Sequence, residues 1–125
     1  MIWTLCQVAL GGAIGAALRY LTNLGALRLA GPGFPAGTMT VNVLGCLAMG
    51  ALAAVLAHKG AMRLAPLLMT GVLGGYTTFS AFALDAVTLW DRGQTAVAAA
   101  YVLGSVLLSL AALLAGLHLM RGVLA

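Results

Sequence analysis

A small group of polar side chains falls at helical spacing inside otherwise apolar sequence. Thr38, Asn42, Ser80, Tyr101 and Ser105 are neutral hydrogen-bond donors, Arg19 is a fixed cation, and Asp85 is the single acid among them. A proton relay through hydrocarbon needs a chain of Asp, Glu or His deep in its helices, and this set offers only Asp85. Donors with basic groups at the mouths of a path suit an anion. Phe79 and Phe82 are three residues apart, so they share a helix face. A phenyl edge is electropositive. Two such edges, with Asn, Ser and Thr donors, can replace part of the water shell of a small anion that forms strong hydrogen bonds.

The elements that hold these groups must be membrane helices. The chain has 125 residues, of which 63% are hydrophobic and 6% charged. Soluble domains carry about 25% charged residues, so a soluble enzyme, a disordered tail and a disulfide scaffold are excluded. The basic residues are scattered without a patch, which argues against nucleic acid. Cys6 and Cys46 lie in apolar stretches and read as small packing residues. A bilayer core needs about 20 apolar residues per helix. Charge-free stretches predict an all-α membrane protein of one domain, 1–125, with spans near 3–29, 36–57, 64–90 and 94–120. Gly31-Pro32-Gly33-Phe34-Pro35, His58-Lys59-Gly60 and Asp91-Arg92-Gly93 separate them.

Four spans put both termini on one side, with Lys59, Arg63 and Arg121. The other side holds Arg28 and Arg92, and Arg19 lies nearer to it. Orientation follows the Lys/Arg bias, which is close to nil here. Insertion in both orientations, and hence an antiparallel dimer, is the expectation. A single orientation set by small effects is the alternative.

Each intramembrane polar group has a bland reading beside the functional one. Gly12, Gly15, Ala16 and Arg19 share one face of the first helix. Arg19 either attracts an anion or snorkels at a helix end. Thr38, Asn42, Gly45 and Met49 form a stripe in which Asn42 lines a path or glues helices. Gly74-Gly75-Tyr76-Thr77-Thr78 is a poor helix interior and predicts a break at the middle of the third span. The freed carbonyls of a broken helix commonly bind a cation. Otherwise the helix continues and the Thr hydroxyls bond back to the preceding turn. Phe79 and Phe82 are otherwise plain core, and Asp85 an interfacial carboxylate. Tyr101, Ser105 and Ser109 step by four as a polar track or as glue.

The patterns Gly12-x-x-Gly15-Ala16-x-x-Arg19-Tyr20, Gly37-Thr38-x-x-Val41-Asn42-x-x-Gly45 and Gly71-x-x-Gly74-Gly75-x-Thr77-Thr78-Phe79-Ser80-x-Phe82 run in order along the chain. This sequence resembles the Fluc (CrcB-type) fluoride channel family over its whole length. The resemblance implies an antiparallel dual-topology homodimer in a bacterial inner membrane, with two fluoride pores built from both subunits. It implies pore roles for Asn42, Phe79 and Phe82, polar-track roles for Thr38, Ser80, Tyr101 and Ser105, and a vestibule role for Arg19. It further implies one structural sodium ion per dimer, held by the backbone carbonyls of Gly74 and Thr77 from each chain. Asp85 departs from the Glu of many relatives. The rival of similar size is a small multidrug transporter, a four-helix dual-topology cation/proton antiporter. Its chemistry needs an acid in the first helix, where this chain carries Arg19 instead. A scaffold subunit would leave the Thr-Thr-Phe-Ser-x-Phe segment without a purpose. No nucleophile–base pair or metal-ligand cluster points to an enzyme.

Overall fold

The computed structural model describes residues 1–125 and is wholly helical. Its helices are α1 (Ile2–Ala30), α2 (Ala36–Lys59), α3 (Gly74–Tyr76), α4 (Phe79–Asp91) and α5 (Thr95–Leu124). A 3₁₀ turn at Met62–Leu64 and a π-helical stretch at Pro66–Leu73 precede α3. Four segments are long and apolar enough to cross a membrane: Ile2–Ala30, Ala36–Lys59, Met62–Asp91 and Thr95–Leu124. The protein is therefore a multi-pass membrane protein.

Local chemistry explains where the helices stop. Gly31 adopts φ 75° and donates its N–H to Leu27 O at 2.9 Å, ending α1 before Pro32. Gly60 ends α2 in the left-handed conformation at φ 61°. Gly93, at φ 79°, turns the chain between α4 and α5. After Leu119 no proline stops the helix, so α5 runs on to Leu124 through Arg121.

Packing depends on missing side chains. α1 lies against the π-helical stretch and α3, and α2 lies along α5. A Cβ on Gly15 would overlap Val72 O, and one on Gly75 would sit 2.7 Å from Gly12 O. The Gly12–Gly15 face of α1 thus lets the third span approach to backbone contact. Gly50 and Gly116 do the same between α2 and α5, where a Cβ would overlap Leu113 O and Leu47 O respectively. The buried core is small: Phe82, Leu89, Ala98 and Tyr101 between α4 and α5, with Met39 of α2 against them. Most large apolar side chains, such as Leu107 and Leu110, face outward, as lipid-facing residues must.

Candidate functional site

The site forms where the third span departs from helical geometry. Helical backbone ends at Tyr76. Thr77 (φ −83°, ψ 157°) and Thr78 (φ −152°, ψ 121°) are extended, and α4 begins at Phe79. Two extended residues orphan several backbone groups, which must find partners if buried. Thr78, only 9% exposed, finds them on Asn42. The Thr78 N–H donates to Asn42 Oδ1 at 2.8 Å, and Asn42 Nδ2 donates to Thr78 O at 3.0 Å. The side-chain amide thus pairs with the peptide as a neighbouring strand would. One Nδ2 hydrogen remains for another acceptor.

The next turn is capped from within. Thr78 Oγ1 accepts from the Ala81 N–H at 3.1 Å and lies 3.2 Å from Ser80 Oγ. Thr77 behaves differently: its Oγ1 donates back to Leu73 O at 2.9 Å. Of the two hydroxyls, only that of Thr77 bonds back to the preceding turn. Gly45 leaves room for this segment, because a Cβ there would overlap Thr77 Cγ2.

The same redirection releases two carbonyls. In a continuous helix Gly74 O would accept the Thr78 N–H, and Thr77 O the Ala81 N–H. Those N–H groups go to Asn42 and to Thr78 Oγ1 instead. Gly75 O is occupied, since Arg19 Nε donates to it at 3.1 Å. One turn further along α1, the Thr22 hydroxyl is 3.1 Å from Tyr76 Oη.

Beside the extended residues lies a cavity of about 240 Å³, lined by Asn42, Cys46, Thr77, Thr78, Phe79, Phe82, Ser105, Val106 and Ser109. Phe79 and Phe82 meet edge-on, with centroids 5.5 Å apart and planes at 61°. Phe82 is buried, whereas Phe79 is 78% exposed on the surface of the protomer. Ser105 is buried and its Oγ has no hydrogen-bond partner. Phe82 also packs on Tyr101 with centroids 5.3 Å apart, and Tyr101 meets Phe34 at right angles with centroids 5.5 Å apart. Tyr101 is completely buried and donates to Asp85 Oδ2 at 3.1 Å. Beyond Asp85 a second cavity of about 300 Å³ opens toward the Gly31–Pro35 loop, with Thr38, Asn23 and Arg92 on its wall.

The polar residues singled out from sequence are thus distributed along a line. Asn42, Phe79, Phe82 and Ser105 surround the first cavity, Thr38 and Asp85 line the second, and Tyr101 stands between them. Ser80 touches Thr78 at the start of α4. Arg19 borders neither of these cavities, and Arg92 is the arginine at the rim of the second. Gly74 is exposed on the protomer surface. Two features escaped the sequence reading. The Tyr101–Asp85 bond was foreshadowed by the i, i+3 series Phe79, Phe82, Asp85. The place of Cys46 in the cavity wall was foreshadowed by its position one turn after Asn42.

Four spanning helices, close glycine contacts and two polar-lined cavities define a small membrane protein built around an irregular helix. The comparisons place it more narrowly. A family model described as "CrcB-like protein, Camphor Resistance (CrcB)" matches residues 6–117, and the chain belongs to this family. It is 65% identical over 122 residues to the fluoride-specific ion channel FluC of Paracoccus denitrificans (strain Pd 1222), covering 98% of each chain. It is 66% identical over 122 residues to the protein of that name from Cereibacter sphaeroides, again covering 98% of each. The FluC protein of Mesorhizobium japonicum is 50% identical over 121 residues.

Proposed function

We propose that this chain is a fluoride-selective passive channel, not an enzyme, that lets fluoride leave the cytoplasm across the inner membrane. Relatives at 65% and 66% identity over nearly the whole chain carry the name fluoride-specific ion channel, which supports the ion. The structural observation that carries the reading is the cavity lined by Asn42, by the edge-packed Phe79–Phe82 pair and by Ser105, whose hydroxyl has no partner. Fluoride is small and accepts strong hydrogen bonds. Neutral donors and phenyl edges replace its water without binding it as tightly as a buried cation would. Selective conduction needs that balance. Hydrogen fluoride crosses membranes as a neutral acid and ionises in the cytoplasm, so the anion accumulates there. A negative-inside potential drives it outward with about 2.3 kcal/mol per charge per 100 mV.

The working form in this reading is an antiparallel, dual-topology homodimer with two pores. The flat charge bias supports it, as does the exposure of Phe79, which leaves one wall of the cavity open at the protomer surface. The extended residues Thr77 and Thr78 lie at mid-span, where irregular backbone is tolerated if it is buried or lines a cavity. Asn42, Phe79, Phe82, Ser80, Thr38, Tyr101 and Ser105 form the fluoride path, and Arg19 adds positive potential near its mouth. A structural sodium ion would be held between the two chains by backbone carbonyls. The carbonyls of Gly74 and Thr77, each without its helical N–H partner, are neutral oxygens of the kind a hard cation takes, and two chains supply four. One domain, 1–125, carries all of this.

Efflux from liposomes tests the proposal. With a potassium ionophore present, purified protein should release loaded fluoride rapidly and loaded chloride negligibly, each followed with its own electrode. Equal release of both, or none of fluoride, would discard it.

A further inference from the structure

We propose that the Cys46 thiol is a covalent modification site through which a small neutral thiol-reactive electrophile closes the anion path. The inference rests on the channel reading above. Cys46 stands one helical turn beyond Asn42 on α2, so both side chains project from one face. The thiol is free and half-buried, and it lines the same cavity as Asn42, Phe82 and Ser105.

A cysteine alone would say little. Ser105 supplies an independent observation: it lines the same cavity, is only 4% exposed, and its hydroxyl has no partner. A buried unpaired hydroxyl is destabilising unless a guest meets it. The cavity, about 240 Å³, far exceeds the roughly 10–15 Å³ that one water needs. It therefore has room for a short alkylthio group on Cys46. The other cysteine, Cys6, is exposed on α1 and lines neither this cavity nor the one beside Asp85, which makes it an internal control.

The probe is n-propyl methanethiosulfonate. The Cys46 thiol loses its proton to water. The thiolate attacks the sulfenyl sulfur, a protein–propyl disulfide forms, the reagent's sulfur–sulfur bond breaks, and methanesulfinate leaves with the electron pair. A propyl chain then stands beside the phenyl edges, and the weak S–H donor is gone.

Reconstituted protein is assayed for fluoride efflux and intact mass before and after reagent, together with the variants C46S and C6S. Each is compared with its own untreated sample. Efflux by the parent and by C6S should fall at least tenfold as one propylthio group appears on Cys46, and dithiothreitol should restore it. C46S should keep its untreated rate. Full efflux with Cys46 labelled, no label on Cys46, or inhibition of C46S would each overturn the inference while leaving the channel reading intact. No fluoride efflux before reagent would overturn the channel reading and this inference with it.

Discussion

Replacing Asn42 with alanine separates two roles that one side chain performs. Its amide bonds both backbone groups of Thr78, at 2.8 and 3.0 Å. Truncation leaves a buried N–H and a buried C=O unpaired. In water-soluble proteins each such loss costs about 1–3 kcal/mol. Side-chain hydrogen bonds in membranes average nearer 0.6 kcal/mol and reach about 1.7, because the released groups find other partners. The pair together is then worth roughly 1–3 kcal/mol, a shift of about 5- to 150-fold against the extended conformation. In a continuous helix the Thr78 N–H would return to Gly74 O, its helical acceptor. That carbonyl is one of the proposed sodium ligands, so helix repair at Thr78 competes with sodium. The variant N42A is therefore predicted to lose at least tenfold in fluoride efflux and also much of the stabilisation that sodium gives the dimer. The assay is thermal unfolding in detergent across a sodium titration, run beside liposome efflux. An asparagine that only lined a pore would lower flux and leave the sodium titration unchanged. An N42A protein whose melting responds to sodium as the parent does would refute the clamp.

Further outcomes are expected from substitution and from sodium removal. F82I removes the phenyl edge beside the cavity with a residue of comparable bulk, and it should cut fluoride flux at least tenfold while the dimer still elutes as one species. Normal conduction would remove the phenyl from the account. G116V places a side chain against Leu47 O between α2 and α5, and should destabilise by about 1–3 kcal/mol or more. By contrast G122A, with open space around its Cβ, should be neutral or slightly stabilising in the same melt. Exhaustive replacement of sodium by a large organic cation should lower dimer stability and flux together, and a protein indifferent to that exchange would refute the carbonyl site.

Much of the architecture is legible in the sequence, for simple reasons. Charges cannot sit cheaply in hydrocarbon, so gaps between Arg28, Lys59 and Arg92 delimit spans. Gly31, Gly60 and Gly93 then appear at the turns with positive φ. Long-range pairing was not readable. Nothing local to Asn42 says that its amide bonds the peptide of Thr78, 36 residues away. Nothing local to Arg19 says that its Nε donates to Gly75 O, 56 residues away. The π-helical winding of Pro66–Leu73 left no periodic signature, because an almost uniformly apolar segment shows the same composition at any pitch. Thr77 and Thr78 are identical in type yet do opposite things, one bonding backward and one capping forward. The difference comes from which of them Asn42 reaches.

The most direct test of fluoride selectivity is a reversal potential. The reconstituted protein would face a tenfold fluoride gradient, with chloride arranged in the opposite gradient. The account predicts reversal at fluoride's equilibrium potential, about 59 mV for a tenfold ratio of a univalent ion. Reversal near zero, or at chloride's potential of opposite sign, would contradict it.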